Sequence, residues 1–220
     1  MLENPAWAAL SGPQACFAEA SGDAARFHPD VAPWCAVADL GDPAAWADLA
    51  TLTDYAVLTA PAIDPPAGWE RVAMTPGVQM VGHTMTGVHD AETVKLTETD
   101  VPEMLDLVER AKPGPFGKRT VELGNYLGLR HEGRLVAMAG ERFRLPGWTE
   151  VSAVCTDPDR RGQGLAARLT MAVAAGILAH GDLPFLHVAA ENAAAIRLYE
   201  RLGFQIEHEV VFAAYRRVPA

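Results

Sequence analysis

The spacing of apolar positions divides the second half of the chain into alternating strands and helices. Residues 94–97 (Val-Lys-Leu-Thr) alternate as a strand does, and Asp100 then predicts a helix start, with Glu103 completing a capping box. Apolar residues at helical spacing predict a long helix over about 164–180 and a shorter one over 192–202. Both kinds of element therefore follow one another along this half.

The remaining apolar runs of this half predict strands joined by tight turns. Two hairpins are expected, because turn residues interrupt alternating runs at His131-Glu132-Gly133-Arg134 and at Leu145-Pro146-Gly147. Further strands are expected over 185–188, 204–208 and 210–215. This order, with antiparallel strands at both ends, predicts an α/β (α+β) fold.

The first half differs from the second in charge and in composition. Residues 1–92 hold 12 acidic and only 2 basic residues, whereas residues 93–220 hold 16 of each. The first part is also rich in Ala, Pro and Trp. We therefore predict two domains, an acidic N-terminal α/β domain over 1–90 and a second domain over 91–220, with the acidic charge attracting a cationic substrate.

The overall composition excludes several classes of protein. Half of the 220 residues are apolar and 21% are charged, which is typical of a globular protein. A net charge of −10 argues against nucleic-acid binding, and no apolar run is long enough to span a membrane. Three scattered cysteines and no signal-peptide pattern predict a cytoplasmic protein without a disulfide framework or a metal site.

A glycine-containing segment between a predicted strand and a predicted helix has the features of a phosphate site. Gly162 and Gly164 allow a close backbone approach, the helix N-terminus offers free N–H groups, and Arg161 adds positive charge. A dinucleotide fingerprint also fits the spacing, but it requires the strand to run directly into the first glycine, and five residues intervene here. A pyrophosphate site and an ordinary glycine-rich loop therefore remain the two interpretations.

A second segment places an amide and a phenol two helical turns apart. Asn192 is suited to cap the helix that follows, and Tyr199 lies about 10 Å further along the same face. The two side chains are in register with an extended ligand lying beside the helix. The alternative is that Asn192 only caps the helix and that Tyr199 is a half-buried aromatic residue.

These motifs, taken in order, resemble a known family. Arg-x-x-Gly-x-Ala (Arg161, Gly164, Ala166), a long helix, an apolar strand and Asn-x-x-Ala-x-x-x-Tyr followed by Gly-Phe look like the GNAT superfamily of acyl-CoA-dependent N-acyltransferases. The resemblance covers about residues 93–217. It implies a mixed, largely antiparallel sheet flanked by helices, and the acidic first half resembles the degenerate GNAT-like partner domain that some bacterial members carry.

The resemblance also implies roles for particular residues. The backbone of one strand would pair with the pantetheine arm of acetyl-CoA, a glycine loop would hold the pyrophosphate, Asn192 would bond the arm, and Tyr199 would protonate the departing thiolate. The implied strand residues are Val154, Cys155 and Thr156. The implied loop residues are Arg161, Gly162, Gln163, Gly164, Leu165, Ala166 and Ala167.

The general base is the least defined part of the expected site. An ammonium acceptor must lose a proton before its nitrogen can attack, and Glu150, on the strand that leads to Thr156, is the candidate. Glu122 and Glu141 are rivals on neighbouring elements, and a water chain is a further alternative. The alternative interpretation of Glu150 is a structural carboxylate paired with a nearby arginine. His187, within an apolar strand, is expected to be a core histidine.

The predicted function is transfer of an acetyl or short acyl group from acetyl-CoA to a primary amine by direct attack in a ternary complex. The acceptor is a small-molecule or peptide amine, and the protein a monomer or homodimer. The alternative is an acyl-CoA-binding sensor or scaffold without turnover. A third hypothesis makes the first half of the chain a dimerisation or lid element. Residues 112–123 and the turn at 142–148 are expected to line the acceptor pocket.

Overall fold

A single eight-stranded sheet runs through both halves of the chain. The computed structural model describes residues 1–218. The helices are α1 (Pro5–Leu10), α2 (Pro43–Leu52), α3 (Val101–Ala111), α4 (Leu165–Ala179) and α5 (Ala193–Arg201). The strands are β1 (Ala18–Ser21), β2 (Ala24–Phe27), β3 (Cys35–Val37), β4 (Tyr55–Ala60), β5 (Trp69–Val81), β6 (Val94–Leu96), β7 (Tyr126–His131), β8 (Arg134–Leu145), β9 (Trp148–Thr156), β10 (Leu183–Ala189) and β11 (Gln205–Arg217).

The order of strands in the large sheet is β4-β11-β5-β10-β9-β8-β7-β6. All neighbouring pairs are antiparallel except β9 and β10, which run parallel. This mixed, largely antiparallel sheet with helices on its faces confirms the predicted fold class. The predicted hairpins, the long helix (α4) and the shorter helix (α5) are also confirmed.

The predicted division near residue 90 is wrong for this sheet. β5 comes from the first 90 residues, yet it lies between β10 and β11 and pairs with both of them. β4, also from the first half, pairs with the other edge of β11. Charge and composition change near residue 90. Strands pair through backbone hydrogen bonds, which do not depend on that change, so the two halves share one sheet.

A second, three-stranded sheet is specific to the N-terminal part. β1, β2 and β3 pair in that order, and one bridge between Trp34 and Val57 joins this region to the edge strand β4. Together with α1, the small sheet covers one face of the large sheet, where the buried aromatic rings of Phe27, Trp34 and Phe143 pack together. We call residues 1–37 the N-terminal cap.

The helices divide between the two faces of the large sheet. α4 and α5 pack on one face through a core that includes Leu169, Val173 and Tyr199, and α3 packs on the other face through Met104 and Leu107. The segment 82–93 crosses the outside of α4, where the Val88 N–H donates to the Met171 carbonyl. Among residues 1–218, no helix has the length and apolar character needed to cross a bilayer.

Two local predictions need correction. The capping box pairs Thr97 with Asp100, not Asp100 with Glu103, because a short 3₁₀ turn over Glu98–Asp100 precedes α3. The two strands expected at the end of the chain form one continuous strand, β11, which absorbs an irregularity between Ile206 and His208.

Candidate functional site

The two parallel strands of the large sheet separate partway along their length. β9 and β10 pair only from Leu183 opposite Trp148 to Phe185 opposite Glu150, and beyond that they diverge. We call the gap between residues 151–156 and 186–189 the wedge. Ser152, Ala153 and Val154 on its border are half-buried, so this backbone edge is accessible to a ligand.

A β-bulge lies on the β9 side of the wedge. Cys155 pairs with Met138 and Ser152 pairs with Gly140, so two residues of β9 face one residue of β8. One of them, Ala153, has a positive φ of 52°, which L-residues with a Cβ rarely adopt. Bulges of this kind redirect the backbone N–H and C=O groups of a strand. Here they place such groups on the wedge.

The glycine segment lies where β9 passes into α4. Gly162 and Gly164 have positive φ angles of 79° and 74°, and a Cβ at either position would meet nothing within 4 Å. Gly164 is also the N-cap of α4 and has no side chain to satisfy the first-turn N–H groups. Arg161 and Gln163 are exposed beside them. The segment therefore offers free N–H groups, positive charge and open space to an anion.

A buried ion pair holds the start of this segment. The Asp157 carboxylate is 7% exposed, accepts from the Asp159 N–H and pairs with Arg110 at the end of α3. Arg110 also pairs with Asp106, one helical turn earlier. α3, on the opposite face of the sheet, is thus tied to the segment that leads into α4. Sequence inspection gave no signal for this contact, because the two partners are 47 residues apart.

A basic cavity of about 490 Å³ lies beside the first turn of α4. Arg160, Gln163 and Arg168 line it from the glycine segment and α4, and Arg130 and His131 line it from β7. Arg168 is held there by Asp90 and Glu92 of the crossing segment. Sequence analysis singled out Arg161 and missed these further basic residues, whose clustering depends on the fold. The adjacent pair Arg160-Arg161 was the available signal.

Asn192 begins α5 at the end of β10. Its side-chain oxygen accepts from the Ala195 N–H at 3.1 Å, as an N-cap does, and the residue is exposed. The capping bond uses the carbonyl oxygen only. The side-chain NH₂ group stays available to donate, so capping and ligand binding are compatible.

Tyr199 lies in the core between α5, α4 and the wedge. It belongs to the same apolar cluster that Val154 of β9 packs against, and its ring meets Phe204 edge-on with 5.9 Å between centroids. Burial raises the pKa of the Tyr199 phenol to about 12. The hydroxyl therefore keeps its proton at neutral pH and can act as a proton donor.

Cys155 and Thr156 complete the β9 side of the wedge. Burial is the main cause that raises the pKa of the Cys155 thiol to about 12, so this cysteine stays protonated and unreactive. The Thr156 hydroxyl is buried and has no hydrogen-bond partner within residues 1–218. An unpartnered buried hydroxyl is costly unless something bonds to it, and a polar ligand running along β9 would supply that partner.

Glu150 does not have the environment of a general base. The residue is completely buried, and its carboxylate accepts from Arg142 at 2.6 and 2.7 Å and from the His187 ring at 2.6 Å. Burial alone would raise the pKa of Glu150, but the positive charge of Arg142 and the bond to His187 outweigh it and lower the pKa to about 2. The prediction that Glu150 removes the acceptor proton is contradicted by this burial, and the structural alternative fits.

The two rival carboxylates are also held. Glu122 forms two bonds with Arg119, at 2.7 and 2.8 Å. Glu141 is buried and accepts from both the backbone and the side chain of Asn125, and from Arg144. All three candidate carboxylates are thus engaged in hydrogen bonds and ion pairs.

The bonds of Gln79 indicate which tautomer a neutral His187 adopts. The Gln79 NH₂ group donates to the Leu2 carbonyl at 2.8 Å, which fixes the orientation of the amide. The same nitrogen lies 3.0 Å from His187 Nε2, so that ring nitrogen must accept. The proton of a neutral His187 is then on Nδ1, which donates to Glu150. The expected core histidine is part of a buried polar network.

Part of the turn at 142–148 packs beneath the N-terminal cap. The Arg142 guanidinium stacks over Trp34 at 4.9 Å, and Phe143 and Leu145 are completely buried beneath the N-terminal cap. The N-terminal cap therefore covers the side chains of Phe143 and Leu145, whereas Arg144, Pro146 and Gly147 stay exposed.

A larger cavity lies far from these residues. It has a volume of about 990 Å³ and lies between α2, the edge strand β4 and residues 216–218, with Trp46, Tyr55 and Trp69 in its lining. Three strands separate this edge from the wedge. Residues 1–218 also contain no group of three or more His, Cys, Asp or Glu side chains placed to hold a metal ion. The wedge and the glycine segment remain the candidate site.

Comparisons with known proteins match this part of the chain. A family model described as "FR47-like protein" matches residues 126–213, which run from β7 into β11. A mycothiol acetyltransferase from Acidimicrobium ferrooxidans is 35% identical over 97 residues, which are 41% of this chain and 31% of that protein. An N-alpha-acetyltransferase RimI from Mycobacterium tuberculosis is 34% identical over 97 residues, which are 42% of this chain and 60% of that protein. The chain thus spans only part of these curated relatives.

Solved structures extend the similarity to the whole chain. A GCN5-related N-acetyltransferase from Kribbella flavida shares the fold, with a TM-score of 0.58 and 21% identity over 92% of this chain and 90% of that one. A GNAT-family protein from Novosphingobium aromaticivorans superposes with a TM-score of 0.91 and is 41% identical, covering 99% of both chains. With that identity over nearly the full length of both proteins, the chain belongs to the GNAT family.

Proposed function

We propose that this protein transfers an acetyl group from acetyl-CoA to a primary amine of a small molecule or peptide. The observation that carries the proposal is the wedge with its bulge, which opens directly towards the glycine segment at the start of α4. The curated relatives are named as acetyltransferases, for mycothiol and for N-alpha positions, and these names support acetyl transfer to an amine without naming the acceptor of this chain.

The residues at the wedge fit acetyl-CoA. A thioester of coenzyme A supplies an activated acetyl group and a thiolate leaving group. The backbone of residues 154–156 and the unpartnered Thr156 hydroxyl would bond the pantetheine arm, and the NH₂ group of Asn192 would bond it from the other side. The first-turn N–H groups of α4, together with Arg161, would hold the pyrophosphate.

Direct attack in a ternary complex needs one further group from the protein. The acceptor nitrogen forms a bond to the acyl carbon while the carbon–sulfur bond breaks, and the sulfur then requires a proton or a hydrogen bond. Tyr199 would supply it, because its phenol is protonated at neutral pH and lies in the cluster that contacts Val154. Such proton transfer typically contributes about 10²–10⁴-fold to the rate.

Removal of the acceptor proton is assigned to solvent. Glu150, Glu122 and Glu141 are all held by arginines, so none of them is free to accept a proton from a bound ammonium. Water reaching the half-buried border of the wedge would take the proton instead. The acceptor must then reach the wedge in its neutral form, or lose its proton there to water.

Thiol release in the presence of acetyl-CoA and a panel of primary amines tests the proposal. The panel should include an amino sugar, an amino-acid amide, a peptide with a free N-terminus and a diamine. Acceptor-dependent release, lost in Tyr199→Phe, is the expected result. Acetyl-CoA binding without release for any amine would contradict the proposal and favour a binding protein without turnover.

A further inference from the structure

One loop packs on the face of the sheet opposite α4, against the same apolar cluster as the bulge. We call residues 112–119, between α3 and the 3₁₀ turn Thr120–Leu123, the α3 loop. Phe116 of this loop and the bulge residue Ala153 both pack against the buried apolar cluster that contains Cys155, and the Phe116 ring meets Tyr126 edge-on at 5.7 Å. Because α4, α5 and the glycine segment occupy the other face, an acceptor would reach the wedge on the side of Phe116.

The α3 loop is fastened to the N-terminal cap by its last residues. The Arg119 N–H donates to the Asp30 carbonyl at 3.0 Å, and the Thr120 hydroxyl donates to the Val31 carbonyl at 2.6 Å. The same Thr120 oxygen accepts from the Gly117 N–H at 2.8 Å. One buried hydroxyl therefore joins the residue that follows Phe116 to the cap.

The contact is too close for any residue but glycine at position 117. A Cβ there would lie 2.7 Å from the Asp30 carbonyl oxygen. The cap is itself rigid at this point, because Val31 is completely buried. Gln14 of the cap holds the other end of the 3₁₀ turn, since its NH₂ group donates to the Leu123 carbonyl at 3.3 Å and to the Arg142 carbonyl at 2.7 Å.

We propose that the N-terminal cap sets acceptor selectivity by holding Phe116 over the bulge, with Thr120 as the positioning residue. The inference rests on the proposed acetyl transfer. Gly114 and Gly117 would leave a free loop of this length with many conformations, and the contacts to the cap remove that freedom before an acceptor binds. Phe116 then limits the bulk that an acceptor can carry next to its amine.

The first experiment compares amide hydrogen exchange in the wild type with exchange in Thr120→Val, Thr120→Ser and Thr51→Val. Thr120→Val keeps the shape of the side chain and removes the hydroxyl, whereas Thr120→Ser retains it. Thr51→Val is the control, because its hydroxyl bonds locally to the Asp48 carbonyl at the end of α2. We expect at least 10-fold faster exchange over 112–119 in Thr120→Val alone, with exchange in α4 unchanged.

The second experiment measures kcat/KM for glycinamide and alaninamide, which differ by one methyl group beside the amine. A single methyl group changes selectivity by about 10–200-fold where a pocket is tight. The wild type should prefer glycinamide. Phe116→Ala and Thr120→Val should raise the relative rate with alaninamide about 10-fold, Thr120→Ser should restore the wild-type ratio, and KM for acetyl-CoA should stay within about 2-fold.

Each outcome decides the proposal. Unchanged exchange in Thr120→Val would overturn the claim that the cap holds the loop. Faster exchange with an unchanged alaninamide-to-glycinamide ratio would overturn the claim about selectivity. If neither amide is acetylated but another amine is, the inference fails while the proposed function stands. If no amine is acetylated, both fail, and the exchange data report only on the loop.

Discussion

Replacing Glu150 by glutamine separates a structural role from a catalytic one. The Glu150 carboxylate receives four donors, two from Arg142, one from His187 and a longer one from the Phe143 N–H. Glutamine has a single acceptor oxygen, and its NH₂ group would face donors. The substitution also leaves the Arg142 side chain, only 12% exposed, without its counter-charge.

The size of the effect follows from this burial. Breaking a buried ion pair by removing one partner costs about 3–5 kcal/mol, and in a protein of this size each kcal/mol lowers the thermal midpoint by about 2–4 °C. We therefore expect Glu150→Gln to lower the midpoint by about 6–20 °C. The control Glu122→Gln removes an ion pair whose side chains are 27% and 43% exposed, and we expect it to cost less than about 1 kcal/mol.

The pH dependence of stability has the same origin. The pKa of Glu150 is lowered from its ordinary 4.5 to about 2 in the folded protein, so its contribution to stability is complete above about pH 4.5. It is lost as the pH falls towards 2. The difference in midpoint between the wild type and Glu150→Gln should therefore shrink over this interval, as scanning calorimetry would show.

Calorimetry and kinetics on the same samples test whether the role of Glu150 is structural. If the midpoint of Glu150→Gln stays within about 3 °C of the wild type while kcat falls 100-fold or more, Glu150 acts on the substrate and the structural reasoning is wrong. A large drop in midpoint, with kcat per folded molecule within about 10-fold of the wild type, is the expected outcome.

Three further predictions concern the site and the sheet. Tyr199→Phe should lower kcat by about 10²-fold or more and leave the dissociation constant of acetyl-CoA within about 2-fold, as steady-state kinetics and calorimetric titration would show; an unchanged kcat would remove Tyr199 from the mechanism. The pH profile of kcat/KM should follow the pKa of each acceptor amine, and one profile shared by acceptors of different pKa would point to a protein base instead. Deleting residues 1–90 removes β4 and β5, so gel filtration should show aggregation; a soluble fragment that binds acetyl-CoA would contradict the shared sheet.

Local sequence signals predicted the elements of the second half because each signal acts within a few residues. The glycines around α4 and the Asn192 cap of α5 are examples, since φ angles and first-turn bonds depend on near neighbours. The placement of residues 69–81, which form β5, in a separate N-terminal domain failed for the opposite reason. A strand pairs through its backbone, and the side chains of β5 do not indicate that β10 and β11 are its partners.

The candidate site shows the same limit. Arg161, Asn192 and Tyr199 lie within short motifs that can be read from the sequence, and their roles at the site stay predictions: the structure has Arg161 just before the glycines, Asn192 at the N-cap of α5 and Tyr199 in the core beneath α5. Glu150 was misjudged because its role depends on His187, 37 residues further along, and on its own complete burial in the fold. Burial of a carboxylate is a property of the whole fold, so period-two alternation along β9 could not reveal it.

The most direct test of the account is calorimetric titration of the protein with acetyl-CoA, beside the double variant Arg161→Glu, Gly164→Glu. The variant places two negative charges, and a side chain at a positive φ, where the pyrophosphate would lie. Saturable one-to-one binding by the wild type, weakened at least 100-fold in the variant with a thermal midpoint lowered by no more than about 8 °C, is the predicted result. Equal binding by both proteins, or none by the wild type, would contradict the assignment of the glycine segment and the wedge to acetyl-CoA.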